Sequence, residues 1–362
     1  MRNPAEETQA VRRALTGWYE KNRRDLPWRQ TCDPYCIWAS EIMLQQTQVA
    51  TVVGYFNRFI RAFPDIRTLA DADLQAVLKL WEGLGYYSRA RNFHKAARFV
   101  VDRHHGQVPD DWESFLALPG VGDYIASAVQ SIAFGKQVAV VDGNVKRALA
   151  RLFEIDAPVN GSSSHKMFKR AAQALLDPED PGTFNQAVME LGALICRPGA
   201  PFCAGCPVSP WCSAFNDDRV ADFPVKIKKP PTPHHHLAIG VVFKNNHLLI
   251  VLRPETGLLG GLWEFPGGRI GPDETAEDAC ARTLKASAGV KVSVRSRLTR
   301  IRHAYTHFKI TADIFLCDWV SGRVRLNGHT GHRWVRPDSL HQYPFPKSNH
   351  KFMPQLMEEI SK

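Results

Sequence analysis

The chain has 362 residues, and its 46 Lys and Arg against 36 Asp and Glu give a formal net charge of +10. This length fits two domains of roughly 100–200 residues each, and 44% hydrophobic with 23% charged residues excludes a largely disordered chain. The longest apolar runs, such as 248–252, are far shorter than the roughly 18–20 residues that a membrane helix needs. The positive surplus favours a polyanionic partner, with nucleic acid first and a membrane surface second.

The N-terminal sequence, Met1 to Glu7, lacks the apolar core of a signal peptide. We therefore expect a cytoplasmic protein, associated with the nucleoid if its partner is DNA. In that reducing compartment the cysteines are not expected to form disulfides.

Residues 1–215 carry one helical pattern after another. Segment 11–19 places its apolar side chains at i, i+4, i+7 and i+8, and Asp33 before Pro34 is typical of a helix start. Further helical patterns lie at about 49–63, 74–81, 87–105, 123–134, 144–154, 165–176 and 184–195. Because no alternating strand pattern interrupts them, we predict an all-α domain.

The segment 216–236 differs in composition from the sequence on either side. Its second half, 223–236, holds four prolines, three lysines and three histidines, with few apolar residues. This composition predicts a stiff, basic, Pro-rich linker.

Strand patterns begin after the linker. The β-rich runs 237–243 and 247–252 are separated by Lys244-Asn245-Asn246, which indicates a hairpin. A helix is predicted over Thr275–Ser287, ending at Gly289. Further strands at 290–294 and 308–320 and a last helix at about 349–361 complete a predicted α+β domain over 237–362.

Four of the eight cysteines lie close together with the spacing C-x6-C-x2-C-x5-C. They are Cys196, Cys203, Cys206 and Cys212. The Pro-rich segments between them allow the chain to loop around one metal centre. Zinc ribbons generally use two C-x2-C pairs and only one is present, so a 4Fe-4S cluster fits better than zinc. Free buried cysteines in a loop remain the alternative.

Two acidic residues occupy positions that suit catalysis. Glu41 lies on a predicted helix with Ile37, Trp38 and Leu44 on the same side, so burial should raise its pKa and make it a general acid. A solvated helix glutamate is the alternative. Asp142 follows an apolar run and opens a helix, a pattern that by itself predicts only an N-cap.

A turn between two predicted helices has the sequence Leu118-Pro-Gly-Val-Gly122. Gly120 and Gly122 allow close approach of the backbone, and the first amides of the following helix can bind a DNA phosphate without base preference. A helix–helix turn without a ligand is the alternative.

This turn, followed by the cysteine spacing, resembles the endonuclease III superfamily of helix-hairpin-helix DNA glycosylases. In the branch that also cleaves the backbone, a lysine stands two residues after Gly-Val-Gly, where this chain has Tyr124. The resemblance thus implies no Schiff base and a monofunctional glycosylase. The strings 44–47 and 83–87 and the second domain are similar to the MutY-type adenine DNA glycosylases.

The resemblance to the MutY type implies excision of adenine mispaired with 8-oxoguanine or G in double-stranded DNA, by a monomer that carries a 4Fe-4S cluster. In this family Glu41 would protonate adenine, and Asp142 would stabilise the sugar cation. Tyr124 and Asn144 would hold Asp142 and the water. The adenine pocket would be lined by Trp28, Arg29, Leu44 and Gln186.

The resemblance also implies DNA contacts. The matching positions are Gln45, Gln46, Thr47, Tyr86, Leu118, Gly120, Gly122, Lys146 and Arg197. Of these, Gln46 and Tyr86 would wedge into the duplex. The loop 197–202 has only Arg197 as a charged residue, where the family commonly has several, so we expect a weaker contribution there, offset by Lys226, Lys228 and Lys229.

The second domain contains the spacing of a Nudix hydrolase, from Gly268 through Glu274 and Arg282 to Gly289. The three helix glutamates that would hold Mg²⁺ are replaced within 282–287, so pyrophosphohydrolase activity should be lost. By resemblance, this degenerate Nudix-like domain recognises 8-oxoguanine through Tyr305, Thr306 and His307.

Three rival functions stay open at this stage. A bifunctional glycosylase/lyase of the endonuclease III type is opposed by Tyr124, and a non-catalytic DNA-binding module by the presence of Glu41 and Asp142. An active nucleotide pyrophosphatase fused to DNA-binding helices is opposed by Ala286 and Ser287.

Overall fold

The computed structural model describes residues 4–228 and 230–362. Predictions that involve Met1–Asn3 or Lys229 lie outside the described residues. Backbone packing divides the chain into two compact units. The helical unit contains the described residues 4–70 and 95–228. The sheet unit contains 71–94 and 230–362.

Residues 4–216 form helices wherever helical periodicity predicted them. They are α1 (Pro4–Asn22), α2 (Pro34–Leu44), α3 (Val49–Ala62), α4 (Ile66–Asp71), α5 (Leu74–Leu80), α6 (Ser88–His104), α7 (Trp112–Leu116), α8 (Asp123–Phe134), α9 (Gly143–Leu152), α10 (His165–Leu175), α11 (Pro181–Leu194) and α12 (Ser213–Asn216). The short helices α4 and α12 were not predicted, because so few residues cannot establish a period of 3.6. The short helix α7 stands before the turn at 118–122, as expected.

Aspartate caps fix the starts of several helices. The Asp33 carboxylate accepts a hydrogen bond from the Tyr35 amide at 2.8 Å, with Pro34 at the first helical position, as predicted. Asp142 caps α9 and Asp180 caps α11 in the same way. Side chains from α1, α9, α10 and α11 then form one buried core that includes Tyr19 and Phe168.

The sheet unit is built on a mixed sheet. Its strands are β1 (His234–Lys244), β2 (His247–Leu252), β3 (Trp263–Glu264), β4 (Gly267–Arg269), β5 (Lys291–Ala304), β6 (Lys309–Ser321) and β7 (Gly331–Val335). They follow the order β3-β2-β1-β6-β5, with β4 paired to β1 and β7 to β2. Only the β1–β6 pair is parallel among the described strand pairs. The predicted β1–β2 hairpin is confirmed, with Asn245 and Asn246 both at positive φ.

Each face of the sheet packs against its own hydrophobic core, and the side chains of β1 alternate between the two cores. Ala238 and Val242 pack towards helix α13 (Ala276–Ala288). Val241, on the other face, belongs to a core with Phe352 and with Leu356 of helix α14 (Met353–Ile360). The predicted α+β architecture is confirmed, including Gly289 as the left-handed end of α13.

Some strands differ from the prediction. Strand β1 begins at His234, inside the segment expected to be linker, and β5 extends ten residues further than 294, to Ala304. Strands β3, β4 and β7 were not predicted. The predicted domain limits of 1–215, 216–236 and 237–362 stay a prediction. Among the described helices, none combines the length and apolar character that crossing a membrane requires.

Candidate active site

A cavity of about 130 Å³ lies in the helical unit, between α2, α8, α9, α11 and a short 3-10 helix at Pro27–Arg29. The structure brings together there all four predicted catalytic residues and all four predicted adenine-pocket residues. The predicted residues that line it are Trp28, Arg29, Glu41, Leu44, Thr47, Tyr124, Asp142, Asn144 and Gln186.

Glu41 projects from α2 into this cavity and is only 5% exposed. Its carboxyl oxygen Oε2 accepts a 2.5 Å hydrogen bond from the Tyr124 hydroxyl. Burial raises the pKa of Glu41 to about 7, and the nearby Asp142 charge adds to the increase, against the opposing effects of Tyr124 and Arg29. Near neutral pH this side chain can therefore carry the proton that a general acid donates.

Asp142 occupies the N-cap of α9, and both of its carboxylate oxygens accept hydrogen bonds. Oδ1 accepts from the Val145 amide at 2.7 Å and Oδ2 from the Asn144 side chain at 2.9 Å. Burial raises the pKa of Asp142, while these donors lower it by stabilising the carboxylate. The same residue is thus both a helix cap and a carboxylate lining the cavity that contains Glu41.

Tyr124 makes a different contact from the one we expected. Its hydroxyl donates to Glu41, not to Asp142. The reason is its place on the first turn of α8, a helix that packs against α2. Asn144, in contrast, contacts Asp142 as expected.

Glu190 is a cavity residue that sequence analysis missed. It lies on α11, one helical turn after Gln186, and its carboxylate binds Arg29 through two hydrogen bonds of 3.0 and 2.9 Å. Arg24 adds three more bonds, two from its guanidinium and one from its backbone amide. Although burial opposes ionisation, these arginines lower the pKa of Glu190 to about 2. The signal was its i+4 spacing from Gln186, which places both on one helix face.

A chain of hydrogen bonds connects Asp142 to the cysteine loop. Arg147 donates to the Asn144 side-chain oxygen at 2.9 Å and to the carbonyl of Cys196 at 2.7 Å. Asn144 in turn donates to Asp142. One arginine therefore contacts both a neighbour of the carboxylate and the backbone of the first cysteine.

The four clustered cysteines line one largely apolar cavity in the helical unit. Arg151 donates to the sulfur of Cys196 at 3.3 Å and to the Arg197 carbonyl at 3.0 Å. Among the described residues, no three Cys, His, Asp or Glu side chains converge closely enough to hold a single metal ion. A four-iron cluster makes a different demand, because each thiolate binds its own iron atom. The donor set fits that demand.

The predicted DNA-binding turn connects α7 to α8. Gly120 has a φ of 78°, whereas Gly122 is extended and serves as the N-cap of α8, so only the first glycine needs left-handed freedom. Lys146 does not point freely outward, since its ammonium donates to the Val159 carbonyl at 3.1 Å. Arg197 is exposed.

Gln46 has a positive φ of 57°, and so has Tyr86 of the sheet unit, at 48°. This region of backbone space is strained for residues other than glycine, and such strain is often found at functional sites. Gln45, next to Gln46, ends helix α2 as its C-cap.

The sheet unit contains its own cavity, of about 540 Å³. It is lined by the segment 83–88, which includes Tyr86, and by 303–308, the tip of the β5–β6 hairpin. The Tyr86 hydroxyl forms a hydrogen bond with Thr306, and Tyr305 donates to Ser348 at 2.9 Å. Two segments predicted separately from sequence therefore line one cavity. Gly257–Leu259 also line it and were not predicted.

In the remnant Nudix motif, Glu274 is paired with Arg282. Glu274 accepts hydrogen bonds from Arg282 (Nε, 2.8 Å) and from the Gly271 amide. Arg282 lowers the pKa of Glu274 to about 2.

Fold and site together define a helix-hairpin-helix DNA glycosylase with a Nudix-like second part. Residues 39–178 match the HhH-GPD superfamily of base excision DNA repair proteins, and 238–355 match the NUDIX domain. A solved thermostable thymine-DNA glycosylase is 30% identical, with a TM-score of 0.54 over 59% of this chain and 98% of its own. A trapped endonuclease III–DNA covalent intermediate, at 20% identity and a TM-score of 0.51, covers 60% of this chain and 99% of its own and shows the fold alone.

Curated relatives narrow this class. The adenine DNA glycosylase of Mus musculus is 37% identical over 84% of this chain and 70% of its own length. The enzyme of Homo sapiens is 35% identical over 92% of this chain and 72% of its own length. That of Buchnera aphidicola subsp. Schizaphis graminum is 29% identical over 94% of this chain and 96% of its own length. The chain belongs to the adenine DNA glycosylase family.

Proposed function

We propose that the protein releases adenine from DNA by acid-assisted hydrolysis of the N-glycosidic bond where adenine faces 8-oxoguanine or G. As a DNA glycosylase of base excision repair, it binds DNA. The observation that carries the mechanism is a buried, protonatable Glu41 in the same cavity as the hydrogen-bonded carboxylate of Asp142. Two carboxyl groups in different environments are what acid-assisted glycosidic hydrolysis requires.

In the first step the extruded adenine enters the cavity and receives the Glu41 proton on a ring nitrogen. Protonation makes the base a neutral leaving group when the glycosidic electron pair returns to it. The Tyr124 hydroxyl, which donates to Glu41, then stabilises the carboxylate that remains.

In the second step the deoxyribose carries a positive charge that Asp142 stabilises. Its carboxylate is held in place by Val145 and Asn144 on opposite oxygens, so it needs no reorganisation as the charge develops. Water then adds to the anomeric carbon and gives a proton to the Glu41 carboxylate, which completes the hydrolysis and restores the acid.

The walls of the cavity suit a flat, partly polar base. Trp28 is buried, with its ring edge-on to Phe56, and Leu44 provides a second apolar surface. Arg29 is fixed by Glu190, so its position is set before a base arrives. Gln186 accepts a hydrogen bond from Tyr19 at 3.1 Å and gives the wall a side-chain amide.

We assign discrimination of the opposite base to the cavity of the sheet unit. Tyr86 and Thr306 form one hydrogen-bonded wall, next to Tyr305 and His307. Gln46 and Tyr86, both on strained backbone, are the proposed wedges at the mismatch. We assign the contacts with the DNA backbone phosphates to the turn at 118–122 and to Arg197, Lys226 and Lys228.

We also propose that Cys196, Cys203, Cys206 and Cys212 hold a 4Fe-4S cluster, which would link the four cysteine positions of the loop to one another. Cys203→Ser should lose iron and sulfide and unfold at a lower temperature. Cys32→Ser, at an exposed cysteine outside the loop, should retain both. Equal iron content in the two variants would contradict the assignment.

The proposed organisation is a monomer with a glycosylase domain at 1–215, a linker at 216–236 and a recognition domain at 237–362. Because its proposed substrate is chromosomal DNA, the proposed location is the cytoplasm at the nucleoid.

One assay separates this function from its rivals. A labelled duplex with adenine opposite 8-oxoguanine is incubated with the protein and then analysed with and without alkali. We expect cleavage only after alkali, since Tyr124 offers no amine for a Schiff base, and no crosslink with borohydride. Nicking without alkali would support a lyase, binding without cleavage a DNA-binding module, and hydrolysis of a dNTP a pyrophosphatase.

A further inference from the structure

The loop between β2 and β3 is held in an unusual backbone conformation. Gly257, Leu259 and Gly261 all have positive φ, of 85°, 54° and 75°. For leucine this conformation costs roughly 1–2 kcal/mol. Gly260 leaves no room for a side chain, because a Cβ atom would lie 2.4 Å from the Glu255 carbonyl oxygen.

Two arginines hold the carbonyls of this loop. Arg253 donates to the Leu258 carbonyl at 3.0 Å, and is itself fixed by two bonds of 2.8 and 2.9 Å to Glu264. Arg91, which is buried, donates to the Gly260 carbonyl at 2.6 Å. The loop is therefore rigid before any ligand binds.

This rigid loop presents an apolar side chain to solvent. Leu258 is 48% exposed and lines the same cavity as Tyr86 and Thr306. Strained backbone and two arginine partners thus hold a leucine outward in the wall of a cavity. Such strain is characteristic of binding positions.

We propose that Leu258 is an apolar contact for the bases of the strand that carries the purine opposite adenine. The inference rests on the proposed function and adds a residue to its recognition site. A leucine side chain offers nothing to a phosphate, but it packs well against a base face or an unstacked base step. The aromatic ring of Tyr86 in the same cavity serves the same kind of surface.

The test measures duplex binding by variants made in a Glu41→Gln background, which should bind without turnover. Burial of half a leucine predicts that Leu258→Ser weakens binding of the A:8-oxoguanine duplex about 5- to 10-fold. Leu258→Met should restore it. The dependence of binding on salt should not change, because no phosphate contact is lost.

Val320→Ser is the matched control, because Val320 is 50% exposed at the end of β6 but does not line the cavity. It should bind within twofold of the parent. Binding by Leu258→Ser within twofold of the parent, with an unchanged unfolding midpoint, would overturn the proposal. Failure of the proposed function shows separately, as no adenine release by the wild-type protein.

Discussion

The cavity of the helical unit and the remnant Nudix motif of the sheet unit both contain glutamates near arginines, but they leave them in opposite states. Glu41 is buried with the Tyr124 hydroxyl as its hydrogen-bond donor, and its pKa rises to about 7. Glu274 is bound by Arg282, and its pKa falls to about 2. Glu190, in the same cavity as Glu41, resembles Glu274 in this respect.

Environment, not residue type, therefore decides which glutamate can hold a proton near neutral pH. In the helical unit Arg24 and Arg29 form ion pairs with Glu190. Glu41 can therefore keep a proton at neutral pH. In the sheet unit the remaining Nudix glutamate is neutralised by an arginine on its own motif. The second unit keeps the NUDIX fold, and we expect it to lack the metal chemistry of that fold.

The largest expected effects are on base release, and that of Asp142→Asn is one of them. Asparagine is as good an N-cap as aspartate, so α9 should persist, while the charge that stabilises the sugar cation is lost. We expect the single-turnover rate constant to fall roughly 10³-fold. Asp111→Asn, at the cap of α7, is the control and should react at the wild-type rate. Equal rates for both variants would mean that Asp142 serves only as the N-cap of α9.

Arg29→Met should break the ion-pair arrangement in the cavity. Glu190 would keep only Arg24, and loss of a partner from a buried carboxylate costs about 3 kcal/mol of unfolding free energy. The lowered pKa of Glu190 stabilises the fold above pH 4.5, and this stabilisation disappears as pH falls towards 2. Denaturant unfolding should therefore show a smaller difference in unfolding free energy between wild type and Arg29→Met at pH 3 than at pH 7. A constant difference would point to lost packing instead.

Glu41→Gln should stabilise the protein at alkaline pH. Between pH 4.5 and 7 the folded state keeps a proton that the unfolded state has lost, so wild-type stability declines as pH rises through this window. At pH 8 the variant should be more stable by on the order of 2 kcal/mol. Below pH 4.5 the two should unfold alike. A variant less stable than wild type at pH 8 would show that neighbouring groups stabilise the ionised Glu41 carboxylate in the folded protein.

The smallest effect is expected in the sheet unit. Glu274→Gln removes an ion pair at the surface of the remnant motif, so adenine release and the unfolding midpoint should both stay unchanged. Hydrolysis of dNTPs in the presence of Mg²⁺ should be absent before and after the substitution. Activity that Glu274→Gln abolishes would mean that the motif still works.

Local patterns predicted the helices, the hairpin at Asn245-Asn246 and the burial of Glu41, because periodicity and turn chemistry are properties of short segments. Family resemblance supplied the set of candidate residues. The partners were not predictable, because they are distant in sequence: Glu190 lies 161 residues from Arg29, and Tyr86 220 residues from Thr306. The exposed Leu258 was missed for another reason, since exposure follows from backbone dihedrals that composition does not reveal.

The pH dependence of single-turnover adenine release tests the acid role of Glu41 most directly. For the wild-type protein, the rate constant should fall about tenfold per pH unit above an apparent pKa of about 7, as the acid loses its proton. For Glu41→Gln it should be about 10²- to 10⁴-fold lower and lack this descending limb. A wild-type rate constant that does not change between pH 6 and 9, or a variant within tenfold of wild type, would contradict the mechanism.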